Sequence, residues 1–435
     1  MIQSIYSGVS SLQSFQTGID VLANNIANVN TTGFRGSRTE FANLFEEAIS
    51  QTSSITSAQT GLGVRVSATA LDLTTGSYSQ TENTTDLAIS GNDGWFGIVG
   101  GANSDAYYTR AGNFNFEPYN SDGYQEHPFF PYGESANTTV RLANVEGFFV
   151  TGTLANNTAN GVLSPVVDTL DLDLADVGVQ EALIFPAKLT YPVEPSTQAD
   201  FLGNLGLENI PQSISATVIS PQSERNNLRL LFTQSAVQPA TGVSWDVTAT
   251  TQNADGSTIY DTQTGLVSFN ESGSLISSTL GNIDNDGAPI NINLGTNYSG
   301  LVSHTGPSVV TSVTIDGTLA GDLTGYTVNR NGEIISNFTN GKQSVVGKVA
   351  IYHFQNDQGL EAASGTKFRV SDNSGPAIFY AQNNGTILIN TLETSNVQLE
   401  TALTELIIMQ RSYDAASKTI STADQLLQNA LNMGA

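Results

Sequence analysis

The stretch SNVQLETALTELIIMQRSYDAASKTISTADQLLQNALNM (395–433) decides how the chain ends. Leu399, Leu406, Tyr413, Ile420 and Leu427 recur every seven residues, with Ala402, Met409, Ala416, Ala423 and Ala430 at the matching d positions. Large residues at a and mostly Ala at d make a narrow seam that a second helix can approach closely. Neither Gly nor Pro occurs from 386 to 433, and Ser395 with Gln398 matches a capping box. One helix over 396–433 would span roughly 57 Å at 1.5 Å per residue. That is too long for a compact domain, so the seam needs a partner. The partner is either a second helix of this chain, as a hairpin, or a neighbouring copy.

The N-terminal end offers a weaker match. Ile2, Ile5, Val9, Leu12, Ile19 and Ile26 fit a three–four pattern, interrupted at Gln16 and Ala23, and Asp20 is the only charged side chain before Arg35. The pattern runs into ANNIANVNTTGF (23–34), which carries Asn24, Asn25, Asn28 and Asn30. Asn is a poor helix former because its amide competes for nearby backbone groups. Gly33 offers a stop, and Phe41, Leu44, Phe45 and Ala48 make a short amphipathic piece beyond it.

The middle reads as strands. All 13 prolines lie between Pro118 and Pro376. Leu170, Leu172 and Leu174 alternate with Asp171 and Asp173, and short apolar runs recur at 346–354 and 387–389. Asn-Gly pairs at 331–332, 340–341 and 384–385 mark turns. The expected fold is therefore mainly β, a multi-domain β-rich body. Its long N- and C-terminal helices pair as a coiled-coil-like inner domain.

Composition narrows the function. With 15 basic against 40 acidic residues the formal charge is −25, and 230–329 contains no Lys or Arg. Nucleic acid and anionic membranes require a basic patch, so neither is an expected partner. There is no cysteine, which rules out disulfides and thiolate chemistry. No apolar run approaches the length of a membrane-spanning helix. MIQSIYSGVSSLQSF (1–15) lacks the basic region and continuous apolar core of a secretory signal. The expectation is a cytoplasmic chain or one exported without a cleaved signal.

No chemistry-bearing constellation stands out. His127, His304 and His353 lie far apart, without paired spacing. The run Asp168, Asp171, Asp173, Asp176 reads as the solvated face of a strand. NIDNDGAPININ (282–293) resembles a calcium loop but has Asn282 at its first position and Asn293 where a bidentate Glu belongs. GLGVRV (61–66) and GNDG (91–94) lack the phosphate-loop lysine and the dinucleotide spacing. No catalytic residue, cofactor site or metal ligand is expected, and the chain is read as a non-enzyme.

Both ends resemble the rod and hook axial proteins of the bacterial flagellum. GIDVLANNIANVNTTGFRGSRTEF (18–41) is similar to the family's N-terminal signature, and LETSNVQLETALTELIIMQRSYDAASKTISTADQLL (392–427) to its C-terminal one. The resemblance is closest to the hook members. DLTTGSYSQTENTTDLAISGNDGWF (72–96), AYYTRAGNFNF (106–116) and GYTVNRNGEIISNFTNGKQSVVGKVAIYHFQNDQGLE (325–361) resemble their shared strands, while PSTQADFLGNL (195–205) and WDVTATTQNADGS (245–257) resemble their outer domain. It covers roughly the whole chain and is weakest from about 120 to 310. Between FANLF (41–45) and GLGVRV (61–66) the chain is longer than the short hook version. Distal rod members carry extra residues there, which implies a stiffer tube.

The resemblance implies a structural subunit that self-assembles into a helical tube, joins rod to filament and transmits torque as a universal joint. It implies signal-less type III export and location in the hook and basal body. The implied partners are further copies of the chain, adjacent distal-rod and hook–filament junction proteins, the hook cap and the export apparatus. The alternatives are a distal rod or hook-associated axial protein, or a secreted β-domain adhesin or carbohydrate-binding protein. The expected units are a helical domain (1–32 and 394–435), a connecting segment (33–71), an inner β domain (72–153 and 311–393) and an outer β domain (154–310). Leu12, Ile19, Asn24, Asn25, Ile26, Asn28, Leu399, Leu406, Tyr413, Ile420 and Leu427 are the expected assembly interface. In such a tube a charge would face copies of itself, so the Asn cluster is read as an uncharged lattice contact.

Overall fold

A computed structural model of the chain describes residues 2–44, 46–48, 59–61, 63–100, 105–119, 139–155, 181–379 and 387–433. The acidic run 168–176, the alternating leucines at 170–174, His127 and the turn at 384–385 lie outside the described residues. So does most of the longer connecting segment 46–60, of which 46–48 and 59–61 pair as a short hairpin.

Helix α1 (Ile2–Ala27) and helix α2 (Leu399–Met433) lie against each other as a hairpin of chain ends. Gly8 and Gly18 allow the close approach. A Cβ on Gly8 would sit 2.6 Å from Ile420 Cγ1, and one on Gly18 would sit 3.4 Å from Met409 Sδ. The helix starts at Leu399, later than the expected 396. Ser395 Oγ accepts the Val397 N–H at 3.3 Å, two residues on rather than three, so the expected capping box is a serine turn. The reason lies next door. Asn396 Nδ2 donates to the Asp72 and Thr74 carbonyls at 3.0 Å each, which holds this stretch out of the helix.

Strands Ser37–Asn43 and Val64–Leu71 pair antiparallel beside α1. Ser14 Oγ donates to the Val64 carbonyl at 3.0 Å, and Phe15 meets Phe41 edge-on with ring centroids 6.0 Å apart. The β body that follows is assembled from two distant stretches of chain. Trp95–Val99 pairs with Phe149–Leu154 from one stretch and with Ile351–His353 from the other. Leu87, Ile89, Phe96, Leu142, Phe185 and Val346 are fully buried in its core. A second cluster packs Trp95 against Phe368, with Tyr108, Tyr352 and Phe354 beside them.

The outer unit begins at Gln198. A meander of Gln212–Ile219, Arg225–Gln234, Val243–Asn253, Ile259–Phe269 and Leu275–Ser278 forms one sheet. In the second sheet, Gln198–Asn204 lies parallel to Pro289–Asn293 and Leu301–Val302 on one side and antiparallel to Val309–Ile315 on the other. Trp245, Phe201, Phe232 and Phe269 fill the space between the sheets. This narrows the outer unit from the expected 154–310. Strands within 181–191 pair with Thr139–Asn144, Phe149–Leu154 and Gly321–Val328 of the body, whereas Val309–Ile315 belongs to the outer sheet. Alternating strands look alike in sequence whichever sheet they join.

In the calcium-like stretch, Ile283–Asp284 and Pro289–Asn293 form a hairpin. Asn285 is buried there and donates to the Ile219 carbonyl at 3.0 Å. Among the described residues no group of three His, Cys, Asp or Glu could hold a metal ion. No helix among them is long and apolar enough to cross a membrane.

Candidate assembly interface

The heptad seam is closed inside the chain. From Ala402 through Leu406, Met409, Tyr413, Ala416, Ile420, Ala423 and Leu427, every seam position is buried or half-buried. On α1, Leu12, Ile19 and Ile26 are half-buried and Leu22 is buried. The hairpin reading of the seam is therefore the one realised within the chain. Leu399 departs from its expected place: it is 44% exposed, at the start of the helix.

Asn25 is held within the chain as well. It is buried, its Nδ2 donates to the Ser37 carbonyl at 2.7 Å, and its Oδ1 accepts the Ser37 N–H at 3.0 Å. Its amide thus pairs with both backbone groups of one residue, as a strand neighbour would. It locks α1 to the strand that follows. Asn28 Nδ2 donates to the Asn24 carbonyl at 2.9 Å and reaches Asn24 Oδ1 at 3.2 Å. Asn24 itself is exposed, and Asn28 is half-buried. The cluster thus has two roles, one internal tie and one outward-facing pair.

What the hairpin presents outward is a different apolar set. Leu403, Ile407 and Ile408 of α2 are exposed, with Leu426 and Leu431 farther along and Tyr6 on α1. Nothing in their sequence marked them, because they fall between seam positions. Large apolar side chains on both helices stand free at the faces the hairpin does not use.

One buried ionic group fixes where this hairpin points. Glu393, which closes the strand Thr391–Glu393 before α2, is wholly buried. Its Oε1 lies 2.8 Å from Arg35 Nη1 and accepts the Gly76 N–H at 3.0 Å, while its Oε2 lies 3.3 Å from Arg110 Nη1. Arg110 Nη1 also donates to the Gly91 carbonyl at 3.0 Å, and Nη2 donates to the Asn92 carbonyl. The cluster holds one negative and two positive charges. Burial, with Arg35 alongside, pulls Arg110 down to about 10, and Glu393 offsets part of that. Arg35 Nε, Arg35 Nη2 and Arg110 Nε are buried with no hydrogen-bond partner among the described residues.

The backbone around it is equally tight. Gly33, at φ +66°, donates to the Glu393 carbonyl at 2.7 Å, and a Cβ there would lie 2.3 Å from Ala111 N. Only glycine meets both demands. Gly36 N donates to Asn396 Oδ1 at 2.8 Å. None of Arg35, Arg110 and Glu393 was singled out from sequence, because buried partners far apart in sequence carry no local signal.

Comparison with known proteins finds family matches at both ends. The family described as flagella basal body rod protein matches residues 5–35, and that described as flagellar basal body rod FlgEFG protein C-terminal matches 390–433. The flagellar hook protein FlgE of Borreliella burgdorferi is 30% identical over 100% of this chain and 100% of its own length. That of Escherichia coli is 28% identical over 98% of both chains. The solved hook protein FlgE2 of Helicobacter pylori overlays on 73% of this chain and 100% of its own, at a TM-score of 0.47 and 15% identity. With the hook protein of Borreliella burgdorferi matched from end to end, this chain belongs to the flagellar hook protein family.

Proposed function

We propose that the chain acts by assembly rather than catalysis, as the subunit of a helical hook tube that couples rod to filament. The observation that carries this is the pairing of both family-matched ends into one hairpin, whose seam is satisfied internally while apolar side chains on its other faces stand exposed. The assembly contacts we assign are Leu403, Ile407, Ile408, Leu426 and Leu431 of α2, Tyr6 of α1 and the outward Asn24–Asn28 pair. Further copies of the chain are the first partner. Distal-rod and junction proteins, the hook cap and the type III export apparatus are the others, and the hook is the site of action. The test is electron microscopy of purified protein with pelleting. Tubes with a central channel support the reading, and Ile408→Asp should abolish them while leaving the melting temperature unchanged. A discrete monomer under all conditions, or full assembly of Ile408→Asp, counts against it.

A further inference from the structure

The outer unit is joined to the β body by only two lengths of chain, 192–197 going out and 316–320 returning. Their backbones pair with each other at one point. Glu194 N donates to the Thr318 carbonyl at 2.9 Å, and Thr318 N donates to the Glu194 carbonyl at 2.8 Å. Beyond that point, Asp316 of the returning length also holds the outgoing one, and the outer unit grips both, through Ser196 N, which donates to the Ile219 carbonyl at 3.0 Å, and through Ser223. Asp316 Oδ1 accepts the Thr197 and Gln198 N–H groups at 2.9 and 3.1 Å, and Ser223 Oγ accepts the Ala320 N–H at 2.9 Å.

On the body side, a single turn holds both crossings. It joins strands Glu333–Phe338 and Gln343–Val349 and contains Asn340-Gly341, with Gly341 at φ +79°. Lys342 Nζ donates to Glu194 Oε2 of the outgoing length at 2.7 Å. Asn340 Nδ2 donates to the Leu319 carbonyl of the returning length at 2.8 Å. The same asparagine's Oδ1 accepts the Lys342 N–H at 3.0 Å, which ties the two grips together. Tyr191 completes the group. Its hydroxyl donates to Glu194 Oε1 at 2.8 Å, and its ring lies against Phe338 with centroids 5.4 Å apart.

We propose that this turn is a latch that sets the angle between the outer unit and the β body, and that ionic strength tunes its hold. One backbone bridge, with the Asp316 side chain beyond it on the side of the outer unit, resists extension but leaves twisting and bending soft where the two lengths meet the body. Only a contact from a third element, off the axis of the crossing, fixes those motions. Asn340 and Lys342 are that contact among the described residues. The Lys342 and Glu194 side chains are 39% and 36% exposed, so mobile ions reach the pair and screen it, whereas the amide-to-carbonyl bond of Asn340 is not screened. Salt therefore loosens the latch without opening it.

The latch belongs to the single chain, so its test does not depend on assembly. The chain has no cysteine, which allows Ala254→Cys and Asp372→Cys to carry a dye pair, one on each unit. Single-molecule energy transfer on monomers then reads the angle. The parent should give a narrow distribution at low salt that widens at about 1 M salt, where the Debye length is about 3 Å. Lys342→Met should be wide at both, with the salt response lost, and Lys342→Arg should restore the parent's behaviour. Thermal melting, expected to be the same for all three, is the folding control. A Lys342→Met distribution identical to the parent's at low salt, or a parent distribution that salt does not move, overturns the proposal.

Discussion

Where the helical hairpin meets the β body, Glu393 sits between Arg35 and Arg110, sealed from water. Where the body meets the outer unit, Glu194 sits between Lys342 and Tyr191, about a third exposed. Both joints use a carboxylate to gather distant segments, but burial gives them opposite characters. In the first, removing one partner leaves a charge stranded in a medium that cannot solvate it, at a cost of about 3–5 kcal/mol. In the second, water replaces whatever is lost, and exposed pairs contribute only about 0–1 kcal/mol. One joint is fixed and the other adjustable.

The sharpest way to break this contrast is Glu393→Ala. It removes the only negative charge from a buried site with two guanidiniums, and a loss of about 3–5 kcal/mol is expected. That is a large share of a typical domain's stability of about 5–15 kcal/mol. The chain's two tryptophans divide between the units, Trp95 in the body and Trp245 in the outer unit. In denaturant, the Trp95 transition should move and the Trp245 transition should not. Equal movement of both would show that the two units unfold together.

Next in size is Asn25→Asp. The carboxylate cannot donate to the Ser37 carbonyl, so a buried acceptor loses its partner, at about 1–3 kcal/mol. The variant should be less stable as a monomer, and salt should not restore its assembly. Full rescue by salt with an unchanged monomer melt would instead place Asn25 among repeated lattice charges.

Alkaline pH separates the body in another way. Burial pushes the Tyr326 and Tyr352 hydroxyls well above the ordinary tyrosine range; they bond to the Pro186 carbonyl and to Thr151 Oγ1 respectively. In both, the folded state holds its proton to higher pH than the unfolded state does. Their contribution is complete below the unfolded value, about 10, and is lost as pH rises above it. Stability of the body should therefore fall steadily above that pH, and Tyr326→Phe should flatten the slope. An unaltered slope would show that its hydroxyl does not govern the alkaline limb. The smallest effect belongs to Lys342→Met, whose melting temperature should be close to the parent's although the angle between units loosens.

The sequence spoke most clearly where the physics is local and periodic. The a and d positions of 399–427 repeat every seven residues, so a helix and its seam could be read without knowing the partner. Gly33 could be read as a stop because a positive φ is a property of one residue. What stayed hidden depends on folding. Leu403 and Ile407 are apolar and off the seam, and only the packing of α1 shows that they stay exposed. Arg110 and Glu393 lie 283 residues apart, and no spacing rule joins them. Asn25 was visible as an anomaly, an uncharged amide in a poor place for one. Its explanation, the backbone N–H and C=O of Ser37 presented by the strand that follows α1, exists only in three dimensions.

The central claim is that the helical hairpin and β body build the tube, while the outer unit shapes how it bends. Because Glu194 and Thr318 already pair across the two crossings, residues 195–317 can be replaced by a short Gly/Ser linker without reopening the body. Electron microscopy of that deletion, after its melting transition shows a folded body, tests the claim most directly. The account predicts tubes of normal channel and reduced outer diameter, with altered curvature. A stably folded deletion that forms no tubes at all would contradict it.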